Sequence, residues 1–306
     1  MTDFVHQALL RIPLFTRLPA DAYHAERLGG LTNLVYRISV QDDADYLLRI
    51  PGKGTEDYIN RAVEAHDAKI AAAVGVSARV LYFDSDDGLM LAEYIPGLTL
   101  STEGFKDIDR VRRAAHSFRQ LHQSGQVFKT RFDVFAKIDE YLALVAKLKA
   151  PLPPGYQQVK QEADGIRQRL AAHPVPLAPC HCDPLAENFI DTGEQVYIVD
   201  WEYAGNNDPM WDLGDLSVEA GFDAEQDHAL LASYFNGSVP PEQAGRMVMY
   251  KALCDLLWTL WGVVQHANDN PAEDFWAYAL ERFERCQALM AQADFTQHLQ
   301  AIEKTA

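Results

Sequence analysis

The sequence has few cysteines and no long apolar run. Its four cysteines in 306 residues are too few and too scattered for a disulfide scaffold, so we expect reduced thiols. The most apolar stretch, residues 256–264, is too short to span a bilayer. The first residues, Met1-Thr2-Asp3-Phe4, start acidic and lack the basic and apolar segments of a secretion signal. These features predict a cytoplasmic protein that does not bind membranes.

The chain is also short of basic residues. Lysine and arginine number 27 against 44 acidic residues, which gives a formal net charge of -17. Such a surface repels phosphate backbones, so nucleic acid is a poor candidate for the main partner, whereas a cationic small substrate would suit the field. Hydrophobic residues make up 48% and charged residues 23%, as is typical of a globular protein. The length suggests two domains or two lobes.

Two common nucleotide-binding motifs are absent. Neither G-x-x-x-x-G-K-[ST] nor G-x-G-x-x-G occurs, and the segment 52–55 lacks the upstream glycine of a P-loop. P-loop and dinucleotide-binding folds are therefore disfavoured. A glycine turn at residues 29–33, just before an apolar strand, is a weaker signal for a nucleotide. Its backbone N–H groups could face a phosphate.

The periodicity of the chain changes after about residue 97. Alternating apolar residues predict four short strands, at 34–40, 46–50, 79–83 and 89–94. One helix at 57–73 is expected to end at Gly75, and 93–97 looks like a hinge. Helical spacing follows, at 112–122, 138–148, 157–172, 247–266 and 273–291. We predict an α+β fold with a small N-terminal antiparallel sheet lobe at 1–97 and a larger, mainly helical lobe at 98–306.

One β-hairpin interrupts the helical part, at residues 177–200. Two short apolar strands flank a glycine turn and should pair antiparallel, at 189–191 and 196–199. This pairing predicts that Asn188, before the first strand, lies beside Asp200, after the second. Their oxygens suit a hard cation such as Mg²⁺. Asp183 lies on the loop that enters the same site, and a free carboxylate beside a magnesium pair is what phosphoryl transfer needs.

Two other interpretations of this segment are open. The hairpin could be structural only, with its Asp and Asn side chains capping turns. A metal-dependent hydrolase could instead use as its ligands His181, Asp183, Asn188 and Asp200. The remaining histidines are scattered, which weakens that second interpretation. Cys180 and Cys182 alternate with His181 along the chain, so we assign both cysteines to the core.

The hairpin also carries the motif by which the sequence resembles a known family. His181-x-Asp183-x4-Asn188, followed by Ile198-Val199-Asp200-Trp201-Glu202, resembles the Brenner-type motif of kinase-like phosphotransferases. These include aminoglycoside phosphotransferases and choline/ethanolamine kinases. The resemblance implies a bilobed protein-kinase-like fold with Asp183 as catalytic base, Asn188 and Asp200 as Mg²⁺ ligands, and His181 bracing the loop. Asp212 resembles a family aspartate that ties down this loop.

The resemblance extends to the nucleotide lobe and runs from about residue 29 to residue 287. Arg49, at a strand end, and Glu64, on the next helix, are similar to the cation and glutamate that hold the α- and β-phosphates in protein kinases. An arginine here looks like the choline-kinase branch, and its planar fork can hold a phosphate and a carboxylate together. The resemblance implies ATP, with adenine contacts from the backbone of Glu93, Tyr94 and Ile95. Phosphate contacts are expected from the glycine turn, at Gly29, Gly30, Thr32 and Asn33.

Two later helices carry aromatic residues at helical spacing. Trp258 and Trp261 lie three apart and share one face, as do Phe275 and Tyr278. Both segments are similar to the helices that form the substrate box of choline kinases, where aromatic faces would bind a quaternary ammonium. Glu202, after the metal strand, is a further candidate for acceptor contact. The aromatic residues could instead be helix–helix core.

The sequence therefore predicts an ATP- and Mg²⁺-dependent kinase of a small amino alcohol. Choline is the favoured acceptor and phosphocholine the product. Alternative acceptors within the class are ethanolamine, thiamine and an aminoglycoside. Alternatives from other classes are a non-catalytic nucleotide- or choline-binding relative and a metal-dependent hydrolase. The sequence indicates no oligomeric state.

Overall fold

The N-terminal lobe is built on a five-stranded antiparallel sheet. The structure, a computed structural model, describes residues 3–29, 33–41, 44–52 and 59–304. The strands of this sheet are β1 (Tyr23–Gly29), β2 (Leu34–Val40), β3 (Asp45–Ile50), β4 (Val80–Phe83) and β5 (Met90–Glu93). Their order in the sheet is β1-β2-β3-β5-β4. The four predicted strands are therefore confirmed, and β1 is an addition to them.

Two helices accompany this sheet. The first, α1 (Asp3–Leu10), was not predicted; it packs with Phe15 on a small core that contains Ile38, Leu48 and Leu91. The second, α2 (Arg61–Val74), begins where the Asn60 side chain accepts a hydrogen bond from the backbone N–H of Val63. It ends at Gly75, as predicted, because that glycine adopts a φ of 90°. The start of the predicted helix, residues 57 and 58, lies outside the described residues.

The C-terminal lobe is mainly helical. Its helices are α3 (Ile108–His122), α4 (Val134–Leu148), α5 (Tyr156–Ala172), α6 (Pro209–Glu219), α7 (Ala224–Tyr234), α8 (Pro241–Ala267), α9 (Phe275–Met290) and α10 (Phe295–Ala301). The long α8 lies at the centre and contacts α4, α6, α9 and α10. The five predicted helical segments are found as α3, α4, α5, α8 and α9, whereas α6, α7 and α10 were not predicted.

Helix α8 is longer than the apolar stretch at its centre. In the described part of the chain, it alone is long and apolar enough, by length and composition, to cross a membrane. Yet 83% of its most apolar window is buried inside the protein. The core helix of a globular lobe passes the same test of length and composition, and its burial explains the apolar sequence of α8.

Short strands form two small sheets at the predicted hairpin, within the C-terminal lobe. They are β6 (Leu98–Thr99), β7 (Ala178–Cys180), β8 (Phe189–Asp191), β9 (Val196–Ile198) and β10 (Gly205–Asn207), arranged as sheets β6-β8-β9 and β7-β10. The predicted hinge leads from β5 directly to β6, which pairs with β8. A side chain at Gly97 would lie 2.7 Å from Ile190 and 2.9 Å from the Asp191 carbonyl oxygen. Glycine at this position therefore lets the hinge lie against the hairpin.

Candidate active site

The loop between β7 and β8 is anchored by one buried carboxylate. Asp212, on α6, accepts hydrogen bonds from the backbone N–H groups of His181 (2.7 Å) and Cys182 (2.8 Å). Its second contact is His122 Nε2 on α3, at 3.0 Å. Cys182 adopts a φ of 68°, in the left-handed region that is unfavourable for a residue with a side chain. Asp212 thus holds the loop in a conformation that the backbone alone would not favour, in the tethering role that the resemblance implied.

His181 supports the same loop through two hydrogen-bonding contacts of its ring. Its Nε2 lies 2.9 Å from the carbonyl oxygen of Val199, and its Nδ1 accepts from the backbone N–H of Asp183 at 3.3 Å. Burial lowers the pKa of His181, so the ring is neutral, with one donor and one acceptor nitrogen. This ring and that of Trp201 pack edge to face, with their centroids 4.8 Å apart. His181 therefore connects the loop to the end of β9, which fits the predicted bracing role.

The side chain of Asp183 has the properties of a proton acceptor. Burial first, and then the charges of Glu219 and Glu202, raise the pKa of its carboxyl group to about 7, although Arg282 acts in the opposite direction. A carboxylate whose pKa lies near the working pH is suited to general base catalysis.

Asn188 and Asp200 lie at the end of the hairpin, but the register of the two strands differs from the predicted register by one residue. Phe189 pairs with Ile198, and the N–H of Val199 donates to the carbonyl of Asn188 at 2.9 Å, so Val199 is the residue directly opposite Asn188. Asp200 follows with a φ of 69°. This left-handed residue turns the chain immediately after the strand.

The side-chain oxygens of these two residues suit a cation. Asn188 donates its amide N–H to the backbone carbonyl of Asp183 at 3.0 Å, which fixes the orientation of its own oxygen. Asp200 Oδ1 is buried and accepts no hydrogen bond from any described residue, and Arg49 Nη1 lies 3.6 Å away. Burial and the Glu202 charge raise the pKa of Asp200 well above its ordinary value. A buried carboxylate oxygen without a donor fits a site for a hard cation.

The predicted pair of Arg49 and Glu64 is present and buried. Arg49 Nη1 contacts Glu64, and Arg49 Nη2 donates to the carbonyl of Gly88 at 3.2 Å. Glu64 also accepts from Arg61 Nη1 at 2.7 Å. Arg61 then reaches Glu202 at 2.5 Å. Sequence analysis did not select Arg61, and it placed Glu202 with the acceptor, whereas the structure directs the Glu202 carboxylate towards the N-terminal lobe.

The other predicted nucleotide contacts are more dispersed. Asn33 is buried and donates to Glu202 at 2.9 Å. Glu93 pairs with Arg79 on the exposed surface, and its backbone N–H bonds to the Arg79 carbonyl. Tyr94 lies under the guanidinium of Arg37, at 4.7 Å. Ile95 follows on the hinge and is partly exposed. Gly29 ends β1, while Gly30 and Thr32 lie outside the described residues.

The predicted aromatic residues form one cluster between α8 and α9. Trp261 lies at its centre, with ring centroids 6.3 Å from Trp258, 5.3 Å from Phe275 and 5.6 Å from Tyr278. Trp258 and Phe275 are mostly buried, whereas Trp261 and Tyr278 are partly exposed. A side chain at Gly262 would lie 2.7 Å from the Tyr278 ring, so this glycine allows α9 to approach α8 closely.

A carboxylate group adjoins this aromatic cluster, and sequence analysis missed it. Glu219, on α6, is held by both Nη atoms of Arg282 at 2.6 and 2.7 Å, and the Arg282 guanidinium lies 4.8 Å from the Tyr278 ring. Burial and then the charges of Glu219 and Asp183 raise the pKa of Asp215, so these three carboxyl groups influence one another. The region therefore combines aromatic faces with clustered carboxyl groups, which suits a cation.

Tyr203 is a second missed residue. Its ring centroid lies 6.1 Å from that of Trp258, which extends the aromatic cluster to the segment that follows β9. Neither Tyr203 nor Glu219 belongs to the helical spacing that identified the other aromatic residues. Their contacts join positions far apart in the chain, and no local pattern shows such contacts.

Comparison with known proteins identifies the family. A model of the choline/ethanolamine kinase family matches residues 26–238. The chain belongs to this family. It is similar to a choline/ethanolamine kinase family protein from Mesorhizobium loti, with 53% identity, a TM-score of 0.89 and 98% of both chains covered. It is also similar to choline kinase LicA from Streptococcus pneumoniae, with 28% identity, a TM-score of 0.76, and 93% and 98% of the two chains covered.

Two further relatives are consistent with this choline/ethanolamine kinase assignment. Protein LicA of Haemophilus influenzae is 27% identical over 270 residues, which are 86% of this chain and 78% of that protein. A structure of LicA in complex with AMP shares 27% identity with a TM-score of 0.70, and covers 91% and 96% of the two chains. The predicted family, kinase-like fold, small-molecule kinase activity and amino-alcohol substrate class are thus confirmed. The LicA structure that contains AMP supports nucleotide binding by a member of this family.

Proposed function

We propose that this choline/ethanolamine kinase family member transfers the γ-phosphoryl group of ATP to the hydroxyl of choline and requires Mg²⁺. The observation that carries the proposal is the cluster of three aromatic rings, Trp258, Trp261 and Tyr278, which the Tyr203 ring joins to the segment that follows Asp200. The pKa of Tyr278 is raised by burial first, and the charges of Glu219 and Asp183 add to that effect. The aromatic cluster and the candidate base therefore share one electrostatic environment.

The residues at the hairpin end fit a magnesium ion. Asp200 offers a buried oxygen with no donor among the described residues, and Asn188 offers an amide oxygen whose direction is set by its bond to Asp183. Oxygen ligands of this kind, few in number and beside phosphates, are what Mg²⁺ takes in kinases. When bound there, Mg²⁺ would neutralise negative charge on the phosphates.

The remaining steps belong to the chain's own groups. Arg49, fixed by Glu64 and the Gly88 carbonyl, would hold the α- and β-phosphates. Asp183 would orient the acceptor hydroxyl and take its proton as the oxygen bonds to the γ-phosphorus. The bond between the γ-phosphorus and the bridging oxygen then breaks, and ADP leaves with that electron pair. Asp212 and His181 keep the loop of Asp183 in place throughout.

The acceptor site supports choline over ethanolamine. A quaternary ammonium has no N–H to donate, so aromatic faces and nearby negative charge bind it better than hydrogen-bond acceptors would. Trp261 and Tyr278 are partly exposed and can offer such faces. A primary ammonium is more strongly hydrated, and its transfer to aromatic walls would leave N–H groups unsatisfied.

A coupled assay of ADP release tests this proposal. The purified chain is supplied with ATP, Mg²⁺ and, separately, choline, ethanolamine, thiamine and an aminoglycoside. We expect the highest kcat/KM with choline, phosphocholine as the product identified by mass spectrometry, and loss of turnover on chelation of Mg²⁺. A higher kcat/KM for another acceptor would overturn the choline assignment, and turnover without divalent cations would overturn the magnesium assignment.

We also propose a cytoplasmic location. All four cysteines are free and buried in the structure, which suits a reducing compartment. Fractionation of cells that express the chain, with detection by antibody, tests this point. Recovery in the membrane or secreted fraction would contradict it.

A further inference from the structure

One of the buried arginines, Arg61, joins the two lobes through a shared nitrogen atom. Arg61 begins α2 in the N-terminal lobe and is only 5% exposed. Its Nη1 atom lies 2.7 Å from Glu64 Oε2 and 2.5 Å from Glu202 Oε2. Glu64 belongs to the same helix, whereas Glu202 follows the hairpin of the C-terminal lobe. One guanidinium nitrogen is therefore shared between the two lobes.

The contacts of Arg61 complete a continuous series of charged groups that runs from Asp200 to Glu202. Asp200 lies 3.6 Å from Arg49, Arg49 contacts Glu64, and Glu64 contacts Arg61, which contacts Glu202. Positive and negative groups alternate along this series. Both ends of this series lie on the short segment 200–202, so the N-terminal lobe contacts that segment at two residues, Asp200 and Glu202.

The other oxygen of Glu202 is also held by the N-terminal lobe. Asn33 Nδ2 donates to Glu202 Oε1 at 2.9 Å, so both carboxylate oxygens are engaged. Between the two acidic residues, Trp201 donates from its indole N–H to Ser77 Oγ at 3.0 Å. Each residue of the segment 200–202 therefore has a contact in the N-terminal lobe. Rigid attachment of this kind positions a reacting group in a kinase.

A glycine makes room for the Arg61 side chain. A side chain at Gly88 would lie 2.6 Å from Arg61 Nε, so only glycine leaves room for this guanidinium. Gly88 also adopts a φ of 87° and accepts a hydrogen bond from Arg49 through its carbonyl oxygen. Two buried guanidinium groups thus lie against one turn, and Glu64 between them balances their repulsion.

We propose that Arg61 is a positioning residue for phosphoryl transfer, because it holds Glu202 and Glu64 in one arrangement and so fixes the metal-side segment 200–202 against the nucleotide lobe. This inference rests on the proposed use of Mg-ATP. Arg61 acts through the two carboxylates of Glu64 and Glu202. Its loss should therefore weaken the binding of Mg-ATP and leave the binding of choline unchanged.

Calorimetric titration of two ligands tests this separation. Replacement of a group that orients a metal ligand typically costs 10–100-fold in metal affinity or activity. We expect Arg61→Gln to raise the Kd of Mg-ATP by about 10–100-fold and to keep the Kd of choline at its parent value. Arg61→Lys keeps the charge but not the planar fork, so it should recover the Mg-ATP affinity only in part. Full recovery by lysine would overturn the positioning role, because charge alone would then suffice.

A matched control separates positioning from stability. Arg246 forms an equally buried ion pair with Asp208 at 2.6 Å, within the C-terminal lobe. Arg246→Gln should lower the melting temperature and leave both Kd values unchanged at a temperature where it is folded. If Arg61→Gln behaves in the same way, its role is structural and the proposal is wrong.

Thermal unfolding without nucleotide or metal provides a second, independent readout. The melting temperatures of Arg61→Gln, Glu202→Gln and the double variant form a cycle. We expect the double variant to lose less than the sum of the two single losses, because both substitutions break the same contact. Additive losses would overturn the contact itself. Absence of phosphoryl transfer in the parent would instead refute the proposed function and leave this cycle interpretable.

Discussion

Asn188 donates its side-chain amide to the backbone carbonyl of Asp183, with 3.0 Å between nitrogen and oxygen. One residue thus joins the loop of the candidate base to the candidate metal site. Replacement by alanine removes both the tether and the ligand oxygen. We expect Asn188→Ala to raise the Mg²⁺ concentration for half-maximal activity at least about tenfold and to lower kcat. A titration of activity with Mg²⁺ measures this, and an unchanged midpoint would exclude Asn188 as a ligand.

Asp183 should act in the chemical step rather than in nucleotide binding. Asp183→Asn retains the size of the side chain but cannot accept the proton of the hydroxyl. We expect kcat to fall by roughly 10²–10⁴-fold, as for other positioned acids and bases, with the Kd of Mg-ATP preserved. Glu187→Gln is the control, since Glu187 is exposed on the same loop. Turnover of Asp183→Asn near that of the control would refute the assignment.

The residues of the aromatic cluster should contribute unequally to choline affinity, because they differ in which ring faces are free. The guanidinium of Arg282 already covers one face of Tyr278, whereas Trp261 offers a larger and more electron-rich ring. Loss of one cation–π contact is worth about 0.5–2 kcal/mol, or roughly two- to thirtyfold in affinity. We therefore expect Trp261→Ala to weaken choline binding more than Tyr278→Ala, with unchanged ATP binding.

Trp276 provides the control for that comparison. It lies on α9 as well, but it packs against His266, away from the cluster. Trp276→Ala should lose stability and keep its choline affinity, as measured by calorimetry beside circular dichroism. An equal loss of choline affinity in the Trp276 variant would show that the effects arise from packing alone.

The ionisation of Asp191, on the hairpin, should make the stability of the protein depend on pH. Burial opposes ionisation of this carboxyl group, but its two-pronged ion pair with Arg113, at 2.9 and 2.7 Å, outweighs that effect and lowers its pKa. A pKa lowered by folding contributes stability above the unfolded value, and that stability is lost as the pH falls through the folded value. Asp191→Asn should therefore destabilise the protein at neutral pH by about 1.5–3 kcal/mol.

The difference in the free energy of unfolding between the parent and Asp191→Asn should become smaller as the pH falls below 3.8, the ordinary pKa of an aspartate side chain. Denaturant unfolding at a series of pH values measures it. Asp109→Asn breaks an exposed pair with Arg112 and should change the free energy of unfolding by less than about 0.5 kcal/mol. A difference for Asp191→Asn that stays constant with pH would show that its ion pair contributes nothing.

Sequence reasoning located the parts of the site that lie close together in the chain. The order of His181, Asp183, Asn188 and Asp200 along one hairpin predicted their proximity, because an antiparallel turn brings its two ends together. The error of one position at Asn188 has a simple cause. The first strand has three residues but the second apolar run has four, so the sequence could not show whether Val199 or Asp200 lies opposite Asn188.

Other features depend on contacts that no local pattern records. Arg61 and Glu202 are 141 positions apart, and Glu219 and Arg282 are 63 apart. Helix α6 was overlooked because its residues are buried on most sides, so it lacks the amphipathic spacing that revealed α3. The cap at Asp208, followed by proline, was the available signal for its start.

Competition between two acceptors is the sharpest test of the assignment of choline as the substrate. The purified chain is given limiting ATP, Mg²⁺ and equal concentrations of choline and ethanolamine, and the two phosphorylated products are quantified by mass spectrometry. Their ratio at early times equals the ratio of the two kcat/KM values. We expect an excess of phosphocholine, and this excess should be smaller in Trp261→Ala. An excess of phosphoethanolamine, or an equal ratio in parent and variant, would contradict that assignment.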